Sequence, residues 1–195
     1  AGDDGSRQLA EQRLAAGIER ATRLVEQLLS MARHEKGTEQ PPAEPVDLVE
    51  VLRLALSDTL PDANARNIGV ALHGQPCAWV RGRRDDLVLL ARNLLDNAVK
   101  YTPAGGHIDI HIDTPGDQAL LLIDDNGPGI AAAERTRVFD RFYRVEGNHQ
   151  HGSGLGLAIA RAIAERHAAT ITLEDAPGGQ GLRARVAFAR EHPPT

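Results

Sequence analysis

The apolar positions divide the chain into a regular seam, a proline-rich break and a long stretch in which helical and strand periodicities alternate. Leu14, Ile18, Ala21, Val25, Leu28 and Ala32 step by four and three, with Glu19, Arg20, Arg23 and Glu26 off the line. That spacing belongs to a coiled-coil or bundle seam and predicts one long helix over about Arg7 to His34. Gly37 to Pro45, containing Pro41, Pro42 and Pro45, reads as a linker. Beyond it the pattern predicts a helix over about Leu48 to Arg66, short strands at Ile68 to Leu72 and Trp79-Val80, and a main helix over about Arg84 to Tyr101. Ile108-Asp-Ile-His-Ile112 alternates as a strand and pairs with Ala119 to Ile123 through a Pro115-Gly116 turn. A glycine-rich run at 152–156 opens a helix reaching about His167. Thr170 to Glu174 and Arg183 to Phe188 are the last strands, joined at Gly178-Gly179. The expected fold is an α/β two-layer sandwich, helices on one face of a mixed sheet, preceded by the long N-terminal helix. No internal repeat is visible, and the tail His192-Pro-Pro-Thr is expected to fray.

Three stretches carry candidate chemistry. In Asn93-Leu-Leu-Asp-Asn97-Ala-Val-Lys100-Tyr101, Asn93 and Asn97 stack one helical turn apart and Lys100 continues their stripe, while Leu94, Leu95 and Ala98 take the other side. Carboxamide oxygens suit a hard cation such as Mg²⁺, and an ammonium neutralises phosphate. A plain surface helix would look the same. Asp124-Asp125-Asn126-Gly127-Pro128-Gly129 ends the apolar run 119–123. Its glycines admit a flat ligand close to the backbone, and Asp125 can accept a hydrogen bond from an exocyclic amine. Gly152-Ser153-Gly154-Leu155-Gly156 leads into a helix whose unpaired N–H groups suit phosphate. Each glycine motif alone is compatible with an ordinary loop; their order and spacing together are far more specific.

With these motifs the chain resembles the ATP-binding catalytic domain of two-component sensor histidine kinases, a histidine kinase/gyrase-type ATPase fold. Asn93 to Thr102 is similar to the family's asparagine box, and Asp125-x-Gly127-x-Gly129 to its first glycine box. Phe139-Asp-Arg-Phe142-Tyr-Arg144 resembles its phenylalanine box, and Gly152 to Gly156 its second glycine box. The likeness covers about residues 46–190 and leans toward the polymyxin-resistance and quorum-sensing kinases. It implies ATP and Mg²⁺ as cofactors, with Asn97 the metal ligand and Asn93 its neighbour on the metal or phosphate side. It further implies Lys100 at phosphate, Tyr101 beside the adenine, Asp125 on the adenine amine, and Gly127 and Gly129 beneath the base. Gly152, Gly154, Leu155 and Gly156 would hold phosphate, and Val145 to Ser153 would form a mobile lid hinged near Gly147 and Gly152. Arg141 and Arg144 either reach the triphosphate or form a surface pair flanking buried Phe139 and Phe142. Phosphoryl transfer needs positioning and charge neutralisation above all. Related gyrase, mismatch-repair and heat-shock ATPases carry Glu where Asn93 stands. A carboxamide cannot take a proton from water, so Asn93 points to transfer rather than hydrolysis.

The resemblance divides the chain into the second helix of a dimerisation and phosphotransfer hairpin (1–36), a linker (37–45), the catalytic domain (46–190) and a tail (191–195). It implies a response regulator, a homodimer partner and the remainder of a sensor kinase, this chain being the cytoplasmic portion of a bacterial inner-membrane sensor. The family's acceptor histidine, in a His-Glu-x-x-Thr-Pro-like phrase on the hairpin's first helix, has no counterpart here. His34-Glu35-Lys36-Gly37-Thr38 echoes the phrase but follows the second helix, runs into Gly37 and lacks the proline. A histidine closing a helix, favoured by its dipole, is the plainer reading. His149 and His151 lack a third ligand for a metal.

Composition narrows the field further. The 195 residues, 42% hydrophobic, suffice for one substantial core plus an appendage. Twenty-two basic against 27 acidic residues give net charge −5 without a basic patch, which disfavours nucleic acid. No apolar run approaches the length of a membrane span, and no signal peptide is visible, so no membrane contact is expected. Cys77 is alone, which excludes an internal disulfide and a cysteine-based zinc site. Met31 is the sole methionine, and the chain reads as a piece of a larger protein. The contrasting function class is a nucleotide-binding regulatory module without turnover; the N-terminal seam argues for the kinase.

Overall fold

The computed structural model describes residues 42–145 and 153–193. The seam helix, most of the linker, the His34 phrase, and Gly147, His149, His151 and Gly152 lie outside the described residues. Residues from Pro41 onward form one compact unit. Its elements are β1 (Glu44–Asp47), α1 (Leu48–Ala65), β2 (Gly69–Gly74), β3 (Trp79–Gly82), α2 (Arg84–Tyr101), β4 (His107–Asp113) and β5 (Gln118–Asp125). A single 3-10 turn follows (Arg137–Phe139), then α3 (Gly156–Arg166), β6 (Thr170–Asp175) and β7 (Leu182–Ala189).

Five strands form a mixed sheet in the order β2-β4-β5-β7-β6, parallel between β2 and β4 and antiparallel elsewhere. Alternation sets its faces. Ile108, Ile110 and Ile112 of β4, with Leu121 and Ile123 of β5, are fully buried in the core. His107, Asp109 and His111 alternate with the isoleucines and stay partly open on the other face. On that open face Arg183 clamps Asp124 through two hydrogen bonds of 2.7 Å. The Pro115-Gly116 turn is formed, Gly116 adopting φ 57°, and the last two strands are joined through Gly178 and Gly179 at φ 100° and 81°.

The helices close the other layer. Asp47 caps α1, its carboxylate accepting from the Val49 N–H at 3.0 Å and also from the Ala78 N–H at 2.9 Å. Leu87, Leu90, Ala91, Leu94 and Leu95 bury one face of α2, and Ile159, Ala160, Ile163 and Ala164 bury one face of α3.

Two boundaries differ from the sequence reading. Glu44 and Pro45, assigned to the linker, begin β1, which pairs antiparallel with β3 in a separate two-stranded sheet. Proline is tolerated there because β1 is an edge strand, paired on one side alone. Glu191, placed in the C-terminal tail, donates its N–H to the Trp79 carbonyl at 2.7 Å.

Candidate functional site

The start of α3 faces the middle of α2, and the turn after β5 packs on the end of the same helix. Asn93 is 5% exposed, and its Nδ2 donates to the Leu89 carbonyl one turn back at 2.8 Å. With the amide nitrogen engaged on its own helix, the carboxamide oxygen turns toward α3. A Cβ built on Gly156 would stand 3.2 Å from Asn93 Oδ1 and 3.5 Å from Asn97 Nδ2. Both carboxamides therefore face the first residue of α3, where a methyl would crowd Asn93 and touch Asn97. Asn97 Nδ2 is buried and has no hydrogen-bond partner among the described residues. Burying an amide without a partner costs about 1–3 kcal/mol, so such an atom marks a place built for a ligand or an ordered water.

Lys100 does not extend along the stripe. Its Nζ donates to the Tyr101 hydroxyl at 3.1 Å and lies 4.7 Å from that ring's centre. The Tyr101 backbone passes beneath the glycine turn, where a Cβ on Gly127 would come within 2.7 Å of the Tyr101 carbonyl. Asp125, at the end of β5, is buried on the helical side. Its Oδ1 accepts from the Gly127 N–H at 2.9 Å and the Leu182 N–H at 3.3 Å, which leaves Oδ2 with no donor among the described residues. Burial pushes the Asp125 carboxyl above its ordinary value; the two N–H donors oppose this, and Asp124 adds to it.

Gly129 adopts φ 71° and stacks on Gly181, itself at φ 103° with its Cα side pressed on the Asp125 carbonyl. Gly154, at φ 70°, packs against the Phe142 backbone, where a Cβ would meet main-chain atoms at 2.9 Å, and accepts the Phe142 N–H through its carbonyl at 3.0 Å. Leu155 is fully buried and its N–H is met by Ser153 Oγ at 3.3 Å. The first free N–H groups of α3 thus follow at Gly156 and Leu157, opposite the two asparagines.

The phenylalanine box departs from the reading of buried Phe139 and Phe142. Val138 is the buried residue, Phe139 is half-buried, and Phe142 is 67% exposed at φ 64°. The three-residue period of the 3-10 turn sends Val138 inward, and the left-handed backbone at Phe142 swings its ring out. Arg141 and Arg144 are exposed beside it.

Three residues that the sequence reading did not single out complete the frame. Arg66 reaches the end of α2, donating to the Val99 carbonyl, to the Lys100 carbonyl at 3.2 Å and to the Thr102 carbonyl at 2.7 Å. His167 joins the opposite end of α2 to α3. Gly181 supplies the close approach behind Asp125. Neither Arg66 nor His167 sits in a motif, and their partners lie tens of residues away.

The fit to a nucleotide rests on the orphaned Asn97 amide, the oxygen of Asn93 facing glycine, and the unpaired Oδ2 of buried Asp125. The donor set for a cation is hard carboxamide oxygen, which matches Mg²⁺ rather than a soft metal. Among the described residues there is no histidine, cysteine and carboxylate cluster that would hold a transition metal.

Comparison with known proteins agrees. Residues 82–192 match the family of histidine kinase-, DNA gyrase B-, and HSP90-like ATPases. The chain is 40% identical over 189 residues to sensor protein QseC of Salmonella typhimurium, covering 96% of this chain and 41% of that protein. It is 35% identical over 181 residues to sensor protein kinase PmrB of Pseudomonas aeruginosa, covering 92% and 38%. The solved structure of the mycobacterial sensor histidine kinase MprB superposes with TM-score 0.68 at 30% identity, covering 76% of this chain and 98% of that one. The chain belongs to the histidine kinase-, DNA gyrase B-, and HSP90-like ATPase family, within it to the catalytic domains of two-component sensor histidine kinases. It spans about two-fifths of the length of the curated relatives it matches.

Proposed function

We propose that this chain binds Mg-ATP between α2 and α3 and serves as the phosphoryl-donating part of a sensor histidine kinase. The phosphoryl group would pass to a histidine outside residues 1–195 and then to a response regulator. The observation that carries the reading is the buried Asn97 amide nitrogen facing Gly156, which no group among the described residues meets.

The family resemblance implies the following roles, and the geometry supports them. Asn97 and Asn93 would hold Mg²⁺, directly or through water, by their amide oxygens. When bound, Mg²⁺ neutralises phosphate charge and draws the terminal phosphoryl into line. The N–H groups at Gly156 and Leu157, at the positive end of α3, would take phosphate oxygens, with Gly152, Gly154 and Leu155 shaping the approach. Asp125 Oδ2 would accept the adenine amine while Gly127 and Gly129 let the ring lie on backbone. Tyr101 would flank the base. Lys100 would leave the Tyr101 hydroxyl to reach phosphate, and Arg144 would do so from the exposed segment after the 3-10 turn. Asn93 supplies no base for water, so the chain's own groups orient the phosphoryl without activating a hydrolytic nucleophile.

The larger context is inferred on the same footing. Among the described residues no helix is long and apolar enough to cross a membrane, which is compatible with a cytoplasmic portion of an inner-membrane sensor that dimerises through the N-terminal seam. We propose the division into hairpin helix (1–36), linker (37–45), catalytic domain (46–190) and tail (191–195), with Glu44 and Pro45 joined to the catalytic domain through β1 and Glu191 through its bond to Trp79. Incubating the chain with a separately prepared acceptor hairpin and γ-labelled ATP tests the function. Acid-labile label on the hairpin histidine is expected; no label despite measurable ATP binding would sink the kinase reading.

A further inference from the structure

We propose that His167 is a positioning residue: it fixes the axial register of α3 against α2 and so sets the spacing between Gly156 and the carboxamides of Asn93 and Asn97. The proposal rests on the nucleotide reading above, since that spacing matters to affinity only if phosphate is held there.

The two helices run past one another in opposite directions. The start of α3 faces the middle of α2 at Asn93 and Asn97, and the end of α3 faces the start of α2. His167 sits at that second junction, as the residue closing α3. Its Nδ1 lies 2.8 Å from the Ile163 carbonyl, an acceptor, so Nδ1 is the nitrogen that carries the proton. Nε2 is then a lone pair, and it accepts the Arg83 backbone N–H at 3.1 Å. Arg83 is the capping residue of α2 and its side chain makes no cap bond of its own. One imidazole therefore ties the last turn of α3 to the first turn of α2.

The ring's place is reserved. A Cβ on Gly82 would come within 2.7 Å of His167 Cδ2, so the glycine at the end of β3 leaves the slot that the imidazole fills. The charged groups around it are Arg83, Asp86 and Arg166. Arg83 Nε donates to Asp86 Oδ2 at 2.8 Å, and Arg166 Nη2 lies 3.6 Å from the same oxygen. Asp86 thus draws the α3 end toward α2 without fixing a direction, whereas the His167 bond has one.

Direction is what the apolar contact lacks. The buried stripe of α3 is Ile159, Ala160, Ile163 and Ala164. Burial is non-directional, and alanine ridges are shallow, so a slide of a few tenths of an ångström costs little contact. A helix of this length, about 16 Å at 1.5 Å per residue, passes such a slide along its axis undiminished. At its far end Gly156 faces Asn93 Oδ1, where an added methyl would stand only 3.2 Å away.

The test compares three full-length chains: wild type, His167→Asn and His167→Gln. Asparagine keeps a nitrogen where Nδ1 stood but cannot reach Arg83; glutamine places its amide oxygen where Nε2 stood and restores that acceptor. Losing register at one phosphate hydrogen bond predicts about three- to tenfold weaker Mg-ATP binding for H167N. H167Q should return near wild type. Adenosine, held at Asp125 on the sheet, should bind all three alike. ATP binding by H167N equal to wild type, or ATP and adenosine weakening together, or H167Q failing with H167N, would each overturn the proposal. Amide exchange at Ile159 in the nucleotide-free chain separates the two claims. Faster exchange in H167N that H167Q restores supports the register role even if the wild type binds no ATP, an outcome that sinks only the nucleotide reading. Equal exchange in all three overturns the register role.

Discussion

Asp125→Asn tests the proposed base-recognition role with little disturbance elsewhere. Both backbone donors, Gly127 N–H and Leu182 N–H, use Oδ1. The asparagine oxygen will stay with them, because turning the NH₂ their way would oppose donor to donor. The new NH₂ then occupies the place of Oδ2 and faces the adenine amine. A hydrogen bond becomes a clash of two buried donors, which costs about 1–3 kcal/mol. At tenfold per 1.4 kcal/mol, ATP affinity should fall roughly 5- to 150-fold. ITP carries a carbonyl where ATP carries the amine, so the same substitution should strengthen ITP binding. Isothermal titration of both nucleotides into both proteins gives the four constants. An unchanged ATP constant, or parallel loss of ATP and ITP, would refute the assignment of Asp125 to the exocyclic position.

The same substitution carries a pH signature of opposite sign to the usual carboxylate. Burial raises the Asp125 carboxyl above its ordinary value, so its ionised form weakens the fold at neutral pH. As pH falls through that raised value the group protonates, and wild type recovers stability that D125N, lacking the charge, has no need to recover. The thermal midpoint of wild type minus that of D125N should therefore rise on acidification from pH 7 toward pH 4. A difference that is flat or falls over that window contradicts the buried, desolvated carboxylate.

The remaining expectations follow from single contacts. Asn97→Ala should abolish the Mg²⁺-dependent part of ATP affinity, leaving the value measured in chelator; an affinity still responsive to Mg²⁺ removes Asn97 from the metal site. Gly156→Ala should separate stability from binding, because alanine favours the helix while its Cβ crowds Asn93 Oδ1 at 3.2 Å. A thermal midpoint no lower than wild type with weaker ATP binding is expected, and unchanged binding would mean the site tolerates a methyl there. Arg66→Ala removes the guanidinium that caps α2 through three carbonyls, two of them at 2.7 and 3.2 Å. It should cost about 1.5–3 kcal/mol in urea unfolding, charge-assisted bonds being the strong ones; a loss under 0.5 kcal/mol would show the cap contributes little.

What the sequence made legible was what periodicity and local chemistry encode. The span of α2 was readable as Arg84 to Tyr101 because its apolar face repeats without a break and its end lies just before Pro103. The sheet strands were readable from alternation, and the turns from their glycines. The start of β1 was not, since Pro45 argues locally against a strand and only pairing with β3 stabilises it. The exposure of Phe142 was hidden by its hydrophobicity; a left-handed backbone at an aromatic has no sequence signal. Within the candidate site, Asn93, Asn97 and Asp125 could be singled out because they stand in short motifs. Arg66 and His167 escaped because their roles are defined by carbonyls and an N–H contributed 33 to 84 residues away.

The framing of α2 bears on the chemistry at Asn93. The helix is held at its start by His167 and at its end by Arg66, so its middle is fixed against both the sheet and α3. Within that fixed middle, Asn93 spends its donor on the Leu89 carbonyl. An ionised glutamate at this position has no donor, and it would set its charge against that carbonyl or turn away from it. The local helix thus favours a carboxamide for its own hydrogen bonding, and the carboxamide in turn cannot deprotonate water. A site that orients a terminal phosphoryl but offers no base makes transfer wait for a nucleophile that arrives already competent. Neutral imidazole is such a nucleophile, which supports the proposal that a histidine supplied from another segment, rather than water, would take the phosphoryl group.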